Sequence, residues 1–152
     1  MHNFRRLLWA WLPVLVLMTL IFGASTDLGS SSHSSRLIGP ILHFLFPGMS
    51  PAAIDQVVLG VRKGAHVSEY GLLCLLIWRA RRLTGSPVPV GWSWATASES
   101  LWLAVLYAAT DELHQTFVPT REGCLRDVFI DSSGAVLGLF LLWRLGRLRR
   151  QW

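Results

Sequence analysis

The stretch from Leu7 to Ser25, LLWAWLPVLVLMTLIFGAS, runs 19 residues without a charge. At the α-helical rise it reaches about 28 Å, close to the ~30 Å thickness of a bilayer's hydrocarbon core. Backbone placed in hydrocarbon must satisfy its own hydrogen bonds, which restricts such a segment to a helix or a closed barrel. Arg5 and Arg6 stand at its start. Three further segments are apolar at one end only. Residues 65–78 (AHVSEYGLLCLLIW) are polar first and apolar second, residues 101–118 (LWLAVLYAATDELHQTFV) run the other way, and residues 127–143 (DVFIDSSGAVLGLFLLW) are again polar first. A chain that crosses four times puts all three polar halves on the same side. The expected fold is therefore all-α: a polytopic membrane protein built as a bundle of four transmembrane helices, one domain over residues 1–152.

Positive charge orients this bundle. With the N-terminus cytoplasmic, Arg5, Arg6, Arg79, Arg81, Arg82, Arg144, Arg147, Arg149 and Arg150 lie inside, nine of the fourteen Lys and Arg. That is the asymmetry the positive-inside rule requires. All eight tryptophans fall at or beyond the same inner ends, where an interfacial aromatic belt accounts for them. Both signals give an N-in, C-in topology. A charged content of 15%, against about 25% in soluble domains, agrees. The net charge of +5 would otherwise suggest a nucleic-acid partner, but the basic residues are accounted for as topology signals and none is expected. Two alternatives are a cleaved signal peptide ending near Gly23 and Ser25, and a soluble bundle of amphipathic helices. The apolar run from Leu7 to Phe22 is long for a signal peptide, and one-sided Trp and Arg argue against a soluble bundle.

Between the spans, the outer segment 26–60 begins polar and turns apolar over residues 37–47, as a helix lying in the outer interface would. Ser50-Pro51 reads as an N-cap followed by a first-turn proline, starting a helix that runs into the second span. Residues 79–100, with Gly85, Pro87, Pro89 and Gly91, read as a short irregular connection, and 119–126 (PTREGCLR) as a tight outer hairpin. Cys74 and Cys124 fall at different depths, so both are expected to be free thiols. His2, His33 and His43 read as surface or interfacial histidines, His114 as marginal, and Asp55 and Glu122 as solvated.

Eight of the nine acidic residues, all but Glu99, lie outside or in the outer halves of spans. At helical spacing Lys63, His66 and Tyr70 share one face of the second span, with Glu69 beside them. On the third, Asp111 faces with His114 and Gln115, and Glu112 aligns with Gln115. On the fourth, Asp127, Asp131, Gly134 and Gly138 form one stripe whose GAVLG pattern lets a neighbouring helix approach closely. An ionised carboxylate at a bilayer's centre costs about 2.5–3.5 kcal/mol on insertion scales. Three spans with ionisable groups at matching depth should therefore turn them toward one another or toward water. The expectation is a polar pocket open to the outer surface, with Arg62, Lys63, Arg121 and Arg126 at its rim.

RKGAHVSEY (62–70), DELHQTFVPTR (111–121) and DVFIDSSGAVLG (127–138) resemble the VanZ-like family of small bacterial membrane proteins. The resemblance runs from about Ser50 to Gly138, with Ser25 a looser match. It carries over onto Lys63, His66, Glu69, Tyr70, Glu112, Gln115, Arg121, Asp127, Gly134 and Gly138. Asp131 stands where the family has asparagine, which adds a negative charge. The family takes its name from an accessory protein of teicoplanin resistance. Membership implies a place in the bacterial cytoplasmic membrane, a cell-envelope role and, by resemblance, antibiotic resistance.

Three readings follow. In a binding or accessory protein, Lys63, Glu69, Tyr70, Gln115, Arg121 and Asp131 hold a lipid-linked cell-wall precursor or a glycopeptide, with Lys63 and Arg121 on its phosphate or carboxylate. In an intramembrane enzyme, Glu112 or Asp127 is the general acid or base, His66 a proton shuttle, and Arg121 and Lys63 stabilise developing negative charge. In a structural network the same groups only hold the helices in register. No G-x-S-x-G or H-E-x-x-H motif is present, so neither a metal nor a cofactor is expected; membrane lipids are expected partners.

Overall fold

Ser50 accepts a hydrogen bond from the Ala53 backbone N–H (3.3 Å), and Pro51 takes the first helical turn, where its missing N–H leaves no bond unmade. The helix they start is the longest in the chain. The computed structural model describes residues 2–26, 31–85, 91–119, 121 and 123–151, with the side chains of all but 2, 3, 31–34 and 37. Among these residues there is no strand, and the helices are α1 (His2–Ala24), α2 (Ser31–Leu45), α3 (Pro51–Thr84), α4 (Trp94–Gln115) and α5 (Leu125–Leu148). The sequence readings placed on Asp27, Pro87, Pro89, Glu122 and Trp152, and on the side chains of His2 and His33, lie outside the described residues.

The helices outrun the apolar segments that announce them. α3 has 34 residues, about 51 Å at the helical rise, and includes the whole of 65–78. Much of 79–100, read as an irregular connection, is helical: α3 runs to Thr84 and α4 starts at Trp94. Hydropathy marks the stretch suited to hydrocarbon, whereas Arg79, Arg81 and Arg82 are good helix formers that carry α3 onward, and Arg81 and Arg82 in its last turn suit its C-terminal dipole. Ser93 then caps α4, accepting from the Thr96 N–H (3.2 Å). Arg81 reaches across to Glu99 (2.9 and 2.5 Å), the acid set apart from the other eight in the sequence. The apolar part of 26–60 is the short helix α2, packed on α3.

α3 is the central element and packs against α1, α2, α4 and α5. It meets α5 at a glycine crossing. A Cβ on Gly134 would stand 2.2 Å from the Val67 carbonyl oxygen, and one on Gly138 2.9 Å from that of Gly71. The GAVLG stripe therefore makes a backbone-to-backbone approach that any side chain would block. The buried core between helices includes Ala10, Val14 and Ile21 on α1, Leu73, Cys74 and Ile77 on α3, Ala104 and Ala108 on α4, and Ala135 and Leu139 on α5. Tyr107 ties α4 to α1 by donating to the Met18 carbonyl (2.6 Å).

Apolar side chains also cover the outside. Leu12, Leu15 and Leu20 on α1, Trp102 and Leu106 on α4, and Phe129 and Leu137 on α5 are exposed. Among the described residues two helical segments, Phe4–Ala24 and Leu125–Leu148, are long and apolar enough to cross a membrane; α3 and α4 carry the interrupting charges. At one end of the bundle Trp78, Trp92, Trp94 and Trp143 meet in series, stacked, edge-on and tilted in turn, with centroids 5.8, 5.5 and 6.3 Å apart, and Arg82 and Arg147 lie over the rings of Trp78 and Trp143. An apolar groove of about 320 Å³ between α4 and α5 opens there, lined by Trp92, Trp94, Leu101, Leu139, Phe140 and Trp143. The polar residues gather at the opposite end.

Candidate functional site

The cluster is assembled by the C-terminal ends of α1 and α4, the first half of α3, the start of α5 and the loop before it. Lys63 on α3 is ion-paired with Asp127 on α5. One turn deeper, His66 Nδ1 lies 3.5 Å from Asp131 Oδ1. The α3–α5 glycine crossing begins at Val67 and Gly134 and brings these two rows together at one depth. Glu69 is half-buried a turn from His66, and Tyr70 is fully buried with its ring 6.2 Å from Tyr107.

α4 supplies the other wall. Gln115 donates its amide N–H groups to Asp111 Oδ2 and Glu112 Oε1, both at 3.1 Å, and the Ser25 hydroxyl donates to Asp111 Oδ2 at 2.7 Å. Glu112 Oε2 accepts from the Cys124 backbone N–H at 2.9 Å. That bond needs Gly123, because a Cβ there would fall 2.2 Å from the Glu112 carbonyl oxygen, so only glycine lets the loop fold back this tightly. Glu112 thereby anchors the start of α5, whose Cys124 N-cap makes no side-chain cap bond.

The cluster is closed, where the sequence led us to expect a pocket open to the outside. Asp111, Glu112, Gln115 and Asp131 are 1–4% exposed. The cause is mutual pairing: carboxylates and donors meet across three helices and cover one another. Solvent reaches the group where Lys63 and Asp127 stand, with side chains 35% and 21% exposed. Arg121 has a different place from the one its charge suggested. Its guanidinium donates to the carbonyl oxygens of Ala24 (2.5 Å) and Thr26 (3.3 Å), satisfying acceptors that the end of α1 leaves open. Arg62 is half-buried and Arg126 exposed. His114 stacks on Phe22 at 4.2 Å. Cys74 and Cys124 are free, the first buried and the second exposed.

The structure thus brings together Lys63, His66, Tyr70, Glu112, Gln115, Asp127 and Asp131, places Glu69 beside them, and sets Gly134 and Gly138 beneath as the helix crossing. It adds three residues that the candidate set omits: Ser25, Asp111 and Gly123. Asp111 carried a signal in sequence, one helical turn before Gln115. Nothing in the sequence paired it with Ser25, 86 residues away. Among the described residues no group of three or more His, Cys, Asp or Glu is placed to hold a metal ion. The arrangement offers buried hydrogen-bond acceptors at three carboxylates and a lysine–aspartate pair at the side water reaches.

Comparison with curated proteins and with solved structures gives no match. A family model described as VanZ/LLP1 matches residues 9–147 of the 152. That span includes α2, α3 and α4 in full, most of α1 and α5, and every residue of the polar cluster. The chain therefore belongs to the VanZ/LLP1 family.

Proposed function

We propose that the protein is a multi-pass component of the bacterial cytoplasmic membrane whose α1, α3, α4 and α5 all cross, N-in and C-in, with the polar cluster toward the outer face. It serves there as an envelope-associated binding or accessory protein for a lipid-linked cell-wall precursor or a glycopeptide-type ligand. Apolar side chains on the outward faces of α1, α4 and α5 support membrane immersion. The basic residues and clustered tryptophans at one end and the acidic groups at the other support the orientation.

One observation carries the functional reading. Three buried carboxylates, Asp111, Glu112 and Asp131, are held on two helices at one end of an outwardly apolar bundle. Ionisable groups kept at that cost inside membrane helices mark a ligand or ion site by default. The Lys63–Asp127 pair forms its mouth and supplies a cation for a phosphate or carboxylate.

The test is mass spectrometry of lipids retained by protein purified in mild detergent, wild type against Lys63→Ala and Glu112→Gln, with accumulation and folding measured on each. Retention of one lipid class by the wild type and its loss from folded variants supports binding. Conversion of an added lipid-linked precursor, abolished in Glu112→Gln, replaces this reading by the acid/base enzyme. Equal retention in all three leaves the cluster as a helix-packing network.

A further inference from the structure

The apolar groove between α4 and α5 lies at the tryptophan end and takes no part in the polar cluster. Trp94, Ala97 and Leu101 on α4 and Val136, Phe140 and Trp143 on α5 wall it, and its volume is about 320 Å³. These positions recur at helical spacing, so the groove runs along the helix axes, for about 10 Å from Val136 to Trp143. Trp94 and Trp143 meet across its end with centroids 6.3 Å apart. The α5 wall then continues one turn further, on the same stripe, to Arg147. Its guanidinium lies over the Trp143 ring at 5.7 Å. Arg144 and Arg147 are exposed, and among the described residues no ion pair engages either. Glu99, the acid at this end, is held by Arg81.

An apolar channel along the helices that ends at a cation restricts what can fill it. In a bundle immersed in a membrane, hydrocarbon chains run beside the helices, and the exposed Trp94 and Phe140 on the groove's walls face outward to meet them. A neutral chain fills the channel but leaves the arginines without an anion. A second copy of the protein is disfavoured by charge. Two-fold pairing across this groove would bring the arginines of both copies together. A lipid with a net negative headgroup meets both demands, because a phosphate accepts paired hydrogen bonds from a guanidinium while its chain occupies the channel.

We propose that this groove and Arg147 form a binding site for one anionic phospholipid of the surrounding membrane. An acyl chain lies between α4 and α5 and the phosphate on the Arg147 guanidinium, with Arg144, three residues earlier on α5, adding to the positive charge. The site rests on the membrane immersion proposed above and on nothing in the polar cluster.

The experiment places the full chain in phosphatidylcholine nanodiscs and replaces a rising fraction of the lipid by phosphatidylglycerol brominated in its acyl chains. Bromine quenches nearby tryptophans. Brominated phosphatidylcholine at the same fractions gives the background, since the exposed Trp9 and Trp102, which do not line the groove, meet both lipids alike. The expected result is extra quenching by phosphatidylglycerol that saturates at a low fraction. Arg147→Ala should raise the half-saturating fraction about fivefold. Val136→Phe, which narrows the channel from an exposed wall position, should reduce the extent of the extra quenching. Arg126→Ala, which removes the same charge at the opposite end of α5, should leave both unchanged. Equal quenching by the two lipids overturns the proposal, as does an excess that Arg147→Ala leaves intact or Arg126→Ala removes. A dimer in the disc whose tryptophans show no such excess makes a second copy the occupant and overturns it too. Failure to enter the discs refutes the immersion itself, whereas entry without the excess refutes this site alone.

Discussion

Glutamine at position 112 would keep the side chain's shape and lose its charge, and the hydrogen bonds around it determine what that exchange costs. Glu112 Oε2 receives the backbone N–H of Cys124 at 2.9 Å, a donor that cannot turn away. Oε1 receives the amide of Gln115 at 3.1 Å, and the same amide serves Asp111 Oδ2 at 3.1 Å. A glutamine must present its one oxygen to Cys124, so its NH2 meets the NH2 of Gln115. Flipping Gln115 relieves that contact but turns an oxygen onto Asp111. One mismatched contact persists in either state, in surroundings 2–4% exposed. Such a mismatch costs about 1–3 kcal/mol. Reduced repulsion from Asp111 and Asp131 offsets part of it, so Glu112→Gln should destabilise by about 1–2 kcal/mol. Unfolding in mixed micelles with rising SDS, followed by tryptophan fluorescence, measures the difference. The half-buried Glu69→Gln should stay within about 0.5 kcal/mol of wild type. If Gln115 is the intermediary, Glu112→Gln and Gln115→Leu should be coupled by about 1 kcal/mol. Additive effects, or a Glu112→Gln no less stable than Glu69→Gln, would refute this reasoning.

Ser25→Ala removes the 2.7 Å donor to Asp111 and leaves Gln115 on the same oxygen; a loss of about 1–2 kcal/mol is expected by the same unfolding measurement. Gly134→Ala should cost about 1–3 kcal/mol and exceed Gly138→Ala, because its new methyl falls 2.2 Å from backbone instead of 2.9 Å; the reverse order would place the tight crossing elsewhere. The two native cysteines test orientation without mutation. A membrane-impermeant maleimide on intact cells should modify the exposed Cys124 and spare the buried Cys74, and labelling that requires permeabilisation would invert the proposed topology.

Properties carried by one helix were legible in the sequence. The uncharged run of α1, the Ser50-Pro51 start of α3 and the shared faces of Lys63, His66 and Tyr70 or of Asp127, Asp131 and Gly134 follow from composition and a 3.6-residue period. Properties that depend on two elements meeting were not. Lys63 could be matched with Asp127, and His66 with Asp131, only once the depth of the α3–α5 crossing was known, and Gly71 on the facing helix carried no signal of its own. Asp111 lay on the right stripe, yet its importance comes from Ser25 at the far end of α1. Arg121 shows the limit most clearly. Its charge and its place beside acidic residues suggest a ligand for phosphate, but a helix that ends in a buried bundle leaves carbonyl oxygens to satisfy, and a guanidinium satisfies them with several donors at once. Cations beside the polar cluster thus divide by what the nearby helix ends demand. Arg121 is drawn to the end of α1, and Lys63 pairs with Asp127 at the side that water reaches.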